Sequence, residues 1–462
     1  MRENRKSDTI AAVATAMNNA GIGIIRVSGD RAISVVDEIF RSAKTGKTLS
    51  NVPTHTIHYG TIWDEDRLID EVLVMVMHAP HSYTAEDTVE IDSHGGILVM
   101  QKILEAVVHH GARIAEPGEF TKRAFLNGRI DLAQAEAVMD TVQAGNEYAL
   151  QSSVSQLRGS VSRRVRALRE ALIYQIAYIE SALDDPEHIS LEGYTTVLEE
   201  KLAPMLKELE EMVNSADDGR IMSEGVRTVI LGKPNAGKSS LMNALLGEDR
   251  AIVTDIAGTT RDTLEEEIRL RDVNLHIIDT AGIRATDDII EQMGVERARQ
   301  MADRADLIIY VADGSRPLDT NDAMIMELIQ ERKAIVLLNK NDLELTVSRE
   351  ELEEKTGRPV IAVSAKEETG IDELGKAVEA LFYSGKLDFN NQVVITNMRH
   401  KEALSCALES LRLVVQGIHE GMPEDVLTID MMDAYSQLGS IIGESVGDDL
   451  VNEIFGRFCM GK

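Results

Sequence analysis

Apolar positions along the chain fall into three regimes. From residue 1 to about 125 the runs are short and strand-like. GIGIIRVSG (21–29) reads as a short strand leading into a turn, and DEVLVMVMHAP (70–80) alternates with the Val and Met content of a strand. TVEIDSHGG (88–96) predicts a strand closing on a glycine turn, and ILVMQKILEAVVHH after it has helical spacing. From about 128 to 217 the period becomes 3.6: Val165, Leu168, Leu172, Ile176, Ile179 and Leu183 form one apolar stripe. Pro186 and Gly193 interrupt it, and another helix is expected over about 195–215. The segment 386–462 is helical in the same way, LSCALESLRLVVQGI (404–418) most clearly. Between these helical stretches, residues 220–382 alternate strand and helix, which predicts a doubly wound parallel sheet. The simplest architecture is multidomain α/β plus all-α, with an α/β domain inserted into a helical domain whose halves meet in space.

Composition narrows the class. A chain of 462 residues exceeds one ordinary core, so two or three domains are expected. Apolar content of 44% and charged content of 27% are those of a soluble globular protein. No apolar run approaches the roughly 18 residues that span a bilayer. The N-terminus lacks the apolar core of a signal peptide, and two cysteines, Cys406 and Cys459, make no disulfide framework. A cytosolic protein is expected. A net charge of −30 argues against broad unaided binding to nucleic-acid backbone. The nearest basic cluster, Arg158, Arg163, Arg164, Arg166 and Arg169, reads as a solvated helix face.

The chemistry is in the alternating block. GKPNAGKSS (232–240) fits G-x-x-x-x-G-K-[ST], follows the strand VRTVILG and opens the helix SSLMNALLG. Backbone N–H groups there face phosphates, Lys238 reaches the β and γ phosphates, and Ser239 offers a hydroxyl to Mg²⁺. NKND (339–342) follows AIVLL, and its Asp342 can accept the N1–H and 2-amino hydrogens of guanine. Adenine lacks both donors and would leave the carboxylate unpaired. SAK (364–366), after PVIAV, is the matching loop whose backbone touches the guanine oxygen. TDIAGTTRD (254–262) is switch I, with Thr260 as second Mg²⁺ hydroxyl. In DTAGIR (279–284), Asp279 holds the Mg²⁺ shell through water and the Gly282 N–H meets the γ-phosphate. GTP is therefore expected to lie against Asn235, Ala236, Gly237, Lys238, Ser239 and Ser240, and against Thr254, Asp255, Ile256, Ala257, Gly258, Thr259 and Thr260. It also meets Asp279, Thr280, Ala281 and Gly282, then Asn339, Lys340 and Asp342, then Ser364, Ala365 and Lys366. Ile283 stands where many GTPases have a water-orienting glutamine. The residues alone leave its replacement open among Asp287, Asp288 and Glu291, and leave Arg261 and Arg284 as arginine-finger candidates.

These G motifs resemble the translation-factor-related bacterial GTPases that lack the glutamine. PGEFTKRAFLNGRIDLAQAEAV (117–138) and the terminal FCMGK (458–462) resemble the MnmE/TrmE family of tRNA-modification GTPases, over essentially the whole chain. The resemblance implies an N-terminal tetrahydrofolate-binding and dimerisation domain (1–127), a helical domain in two parts (128–219 and 383–462) and a G domain (220–382). It implies a cytoplasmic homodimer activated by K⁺, with K⁺ ligands Asn235, Thr254, Ile256 (by its carbonyl) and Thr259. Catalysis would then rest on Lys238 and on Glu291 as the water-orienting acid. The implied reaction adds an aminomethyl or carboxymethylaminomethyl group at C5 of wobble uridine in certain tRNAs, in complex with an FAD- and NADH-using MnmG/GidA-family partner. The one-carbon donor would be 5-formyltetrahydrofolate or a related tetrahydrofolate, bound by Arg26, Glu90, Arg129 and Lys462, with Cys459 near the one-carbon chemistry. Two departures stand out: TAMNNAGIGIIR where the family more often has a Pro- and Gly-rich turn, and Arg129 where some relatives have lysine. Two other readings share some motifs. A ribosome-assembly GTPase would usually carry a second G domain or a basic RNA-binding module, which this chain lacks. A folate enzyme with a merely regulatory G domain would keep residual activity without residues 220–382.

Overall fold

The computed structural model describes residues 8–44, 46–247, 266–271, 273–278, 295–382, 394–444, 446–456, 458 and 461. It divides into two compact units, one from Met1–Met139, Gln156–Glu192 and Gly417–Lys462, the other from Asp140–Ser155 and Gly193–Gln416.

The first unit is built on a seven-stranded sheet in the order β3-β4-β5-β6-β2-β1-β7. Its strands are β1 (Ile10–Val13), β2 (Ala20–Ser28), β3 (Phe40–Ser42), β4 (Thr56–Asp64), β5 (Arg67–Met77), β6 (Thr88–Gly95) and β7 (Arg113–Ile114). Helices α1 (Ala32–Ile39) and α2 (Ile97–His109) cover one face, where Ile25, Val27, Val74, Val76, Val89 and Ile91 share a core with Val36, Met100 and Ile103. Strand side chains alternate, so the intervening positions of β2 and β6 face the other way. Arg26 and Glu90 are register partners on that opposite face.

An ion-pair network fixes α3 (Glu119–Leu126) below this sheet. Glu119 accepts two bonds from the Arg113 guanidinium (2.8 and 2.5 Å), one from Arg123 (3.1 Å) and one from the Glu116 N–H (2.8 Å). Burial alone would raise this carboxyl; the Arg113 bonds, the Glu116 amide and the Arg123 charge outweigh it and bring it from 4.5 to about 2. A depressed acid contributes stability that is present above its unfolded value and is lost as pH falls through the folded one. The full contribution, about 3 kcal/mol, is thus expected at pH 7 and fades between about pH 4.5 and 2. Glu119→Gln should remove most of it at neutral pH. Urea unfolding followed by Trp63, the chain's one tryptophan and a β4 residue, reads this unit directly; equal midpoints for the two proteins at pH 7 would refute the assignment.

Four helices follow: α4 (Leu132–Gln143), α5 (Glu147–Leu157), α6 (Ser160–Asp184) and α7 (Tyr194–Glu224). On α6 the expected stripe is buried from Val165 to Ile179, but Leu183 is 43% exposed and Ala182, at 2%, takes the inward position. From Ile179 both the third and fourth residues lie near one face, and here the third turns inward.

The second unit carries the six-stranded sheet, β8 (Val226–Leu231), β9 (Glu266–Leu270), β10 (Val273–Ile277), β11 (Leu307–Asp313), β12 (Ala334–Asn339) and β13 (Val360–Ala362), in the order β13-β12-β11-β8-β10-β9. All pairs are parallel except β9 with β10. Every residue of β11 and β12 is buried, as expected for strands covered on both faces. Its helices are α8 (Lys238–Leu245), α9 (Val295–Arg304), α10 (Thr320–Ile329), α11 (Arg349–Thr356) and α12 (Ile371–Phe382). The strand order reverses at β8, which in open sheets marks the ligand crevice at the strands' carboxyl ends.

The chain ends in α13 (Met398–Glu420), α14 (Glu424–Ile442) and α15 (Asp448–Gly456). In the first unit α14 packs along α6: the Arg169 guanidinium lies 4.0 Å over the Tyr435 ring and pairs with Glu444. Arg169 is only 7% exposed, so it leaves the solvated basic cluster and joins the helix interface. Among the described residues no helix is long and apolar enough to cross a membrane.

Candidate functional site

The phosphate loop leaves β8 and enters α8 through two left-handed residues, Asn235 (φ 64°) and Gly237 (φ 97°). A Cβ on Gly237 would lie 2.0 Å from Asn339 Nδ2, so only glycine fits. Lys238 opens α8, and its ammonium donates to the carbonyls of Gly232 (2.8 Å) and Lys233 (2.7 Å). Ser239 and Ser240 are exposed in the first turn of α8, where the helix dipole favours phosphate.

The NKND loop (339–342), expected to read the base, lies at the carboxyl end of β12. Asn339, 2% exposed, donates from Nδ2 to Ala236 O (2.8 Å) and accepts the Ala365 N–H on Oδ1 (3.0 Å). One side chain therefore ties the phosphate loop to the Ser364–Lys366 loop. Asp342 accepts the Ser364 hydroxyl at 2.7 Å, and that bond first, then a backbone N–H, holds its carboxyl below the usual carboxylate range. The remaining acceptor positions of an exposed, ionised carboxylate suit two N–H donors of a guanine. Lys340 (φ 66°) turns its ammonium onto Asp313 Oδ2 at 2.7 Å. The NKND motif points to Asn339 as a nucleotide contact and to Asp342 as the base reader; the clamp that Asn339 makes carries no local signal, because its partners are distant in the chain.

Thr254, Asp255, Ile256, Ala257, Gly258, Thr259, Thr260, Asp279, Thr280, Ala281, Gly282 and Glu291 lie outside the described residues, as do Lys462 and Cys459. Of the two hydroxyls expected to meet Mg²⁺ only that of Ser239 lies among the described residues, and of the four residues expected to meet K⁺ only Asn235. Hydroxyl and amide oxygens are hard donors that suit both ions.

A second cluster forms on the face of the first unit's sheet opposite α1 and α2. Arg26 Nε donates to Glu90 Oε1 at 2.8 Å, and a terminal nitrogen reaches Gly461 O at 3.2 Å. The Arg26 guanidinium carbon lies 5.3 Å from the Tyr83 ring centre and 5.6 Å from that of Phe120. Arg129, just beyond α3, stacks its guanidinium 5.0 Å over the same Tyr83 ring. The Tyr83 hydroxyl is fixed by Thr121 Oγ1 at 2.8 Å. Arg26, Glu90 and Arg129 are thus brought together around an aromatic wall. Arginine at 129 suits that wall, since a planar guanidinium stacks on a ring where lysine cannot. Tyr83 and Phe120 escape sequence reasoning because no local pattern distinguishes them from core aromatics.

The MnmE helical domain matches residues 132–459 and the GTP-binding protein TrmE N-terminus matches residues 9–129. A tRNA modification GTPase MnmE of Lachnoclostridium phytofermentans is 56% identical over 457 residues, covering 99% of this chain and 100% of that protein. The protein of the same name in Bacillus subtilis is 45% identical over 459 residues, covering 98% and 100%. That of Clostridioides difficile is 46% identical over 457 residues, covering 98% and 99%. A solved G domain of the T. maritima FeoB iron transporter aligns with 33% of this chain and 96% of its own at 27% identity and a TM-score of 0.25, which supports no structural inference. With end-to-end identity to these proteins, the chain belongs to the MnmE/TrmE family.

Proposed function

We propose that this protein is a GTP hydrolase of tRNA modification, adding an aminomethyl or carboxymethylaminomethyl group at C5 of wobble uridine. The observation that carries the GTPase half is the Asn339 clamp, which from the end of β12 holds the phosphate loop after β8 against the Ser364–Lys366 loop after β13. Lys238 and the N-terminus of α8 receive the phosphates, and Asp342 reads the base. Ser239 and Thr260 would hold Mg²⁺, which supplies charge neutralisation on the phosphate oxygens. Asn235, Thr254, Ile256 and Thr259 would hold K⁺, whose charge serves where an arginine finger acts in other GTPases. Glu291 orients the attacking water in place of the glutamine that Ile283 displaces.

The tRNA-modification half rests on the family and on the Arg26–Glu90–Arg129 cluster. A carboxylate beside two guanidinium groups suits a reduced folate: Glu90 would pair with the donor edge of a pterin, and Arg26 and Arg129 would supply N–H donors to its acceptor oxygens. Lys462 and Cys459 would complete that site from the C-terminal tail. In this reading residues 1–127 bind tetrahydrofolate and dimerise, 220–382 form the G domain, and 128–219 with 383–462 are the two parts of a helical domain whose sequence it interrupts. The protein works in the cytoplasm as a homodimer with an FAD- and NADH-using MnmG/GidA-family partner on tRNA.

GTP turnover in matched KCl and NaCl tests the catalytic part. Turnover is expected to rise at least about tenfold in KCl; equal rates would remove the potassium site. Glu291→Ala should bind GTP normally and hydrolyse it at least about a hundredfold more slowly. A rate within about twofold of wild type would assign the water to another group.

A further inference from the structure

Lys233 occupies a position that the phosphate-loop pattern leaves open, and its side chain meets acceptors outside the loop. Its ammonium lies 2.6 Å from Asp322 Oδ2, 3.1 Å from Asp319 Oδ2 and 3.4 Å from Pro317 O. The Lys233 side chain is 12% exposed and that of Asp322 is 1% exposed. The other oxygen of Asp322 accepts the hydroxyl of Tyr310, a fully buried β11 residue, at 2.8 Å. The Asp322 bond lies in a dry setting, where charge-assisted bonds are strong and directional, whereas Asp319 is half exposed. Helix α10 does not need this lysine for its start. Asp319 and Asp322 already form a reciprocal capping box, with Asp319 Oδ1 accepting N–H groups of Asn321 and Asp322 and Asp322 Oδ2 accepting the Asp319 N–H. What the lysine adds is a tie between that cap and the phosphate loop.

The tied residue matters to the site. The backbone carbonyl of Lys233 is one of the two on which the Lys238 ammonium rests, and it also accepts the Ala236 N–H at 3.2 Å. The same connecting segment begins at Asp313, which takes the Lys340 ammonium of the base-reading loop. Residues 313–322 therefore carry one lysine bridge to each half of the nucleotide site.

We propose that Lys233 is a positioning residue for nucleotide binding, and that the segment Asp313–Asp322 is a strut holding the phosphate loop and the base-reading loop in register. This rests on the GTPase reading above. The test uses the full-length protein, Lys233→Met and Lys233→Arg, with the Kd for a fluorescent GDP analogue, KM and kcat for GTP, and the melting temperature. Lys233→Met is expected to raise Kd and KM about tenfold, with kcat within about threefold and the preference for GDP over XDP unchanged. Lys233→Arg should return Kd to within about threefold of wild type. If the lysine merely props α10, Lys233→Met lowers the melting temperature and leaves Kd within about twofold, which overturns the proposal. A loss of affinity that Lys233→Arg fails to relieve also overturns it. Wild-type protein that binds no GDP would overturn the GTPase reading itself, a distinct result.

Discussion

Asp342→Asn is expected to exchange a preference for guanine for one for xanthine. The Asp342 carboxylate offers acceptors only, with one oxygen already bonded to the Ser364 hydroxyl at 2.7 Å. Guanine presents two donors, N1–H and the 2-amino group. An asparagine replaces one acceptor with a donor, which then faces the 2-amino group and leaves two donors opposed. Xanthine has a carbonyl at that position and pairs with the new amide. Sites that bond a specific donor reject an analogue lacking it by about 10⁴–10⁵. Partial hydration at an exposed loop reduces this, so GTP kcat/KM is expected to fall at least about a hundredfold, with XTP turnover gained by a similar factor. Kinetics with both nucleotides decide the matter; hydrolysis of GTP within about threefold of wild type would mean that another group reads the base.

The second large effect concerns the other unit. Arg26→Ala removes a guanidinium held by Glu90, by the Gly461 carbonyl and by two aromatic rings. It also leaves Glu90, 17% exposed, without its cation. Affinity for 5-formyltetrahydrofolate, measured calorimetrically, is expected to fall about a hundredfold while GDP affinity holds within about twofold. Tyr83→Ala should cost about tenfold, because the ring orients both Arg26 and Arg129, and Tyr83→Phe should cost less. Unchanged folate binding in Arg26→Ala would detach the cluster from the folate reading.

What the sequence disclosed depended on whether the cause was local. The phosphate loop was legible because its turn, glycine and helix start lie within nine residues, Gly232–Ser240, and each constrains the next. β5 was legible from alternation and β6 from the glycine turn that closes it, whereas β1 (IAAV) is a short apolar run with no period to distinguish it. Leu183 was misplaced because, past Ile179, a helical face admits either of two positions and packing chooses. Arg169 read as one more exposed arginine; its burial follows from Tyr435 and Glu444, which lie far along the chain on and beyond α14. The same holds for Asn339, whose clamp spans 103 residues to Ala236, and for Tyr83, whose role emerges when β2 and the turn after α3 deliver two guanidinium groups to it. Arg26 and Glu90 came from the family resemblance alone, and their pairing across β2 and β6 supplies a physical reason for them.

The most direct test of the whole account is mass spectrometry of wobble uridines in tRNA from cells lacking this protein and from cells complemented with wild type, Arg26→Ala or Asp342→Asn. The account expects the C5 aminomethyl or carboxymethylaminomethyl group to disappear with the gene, to return with wild type and to stay absent with either variant. A wobble-uridine profile unchanged by loss of the protein would contradict it.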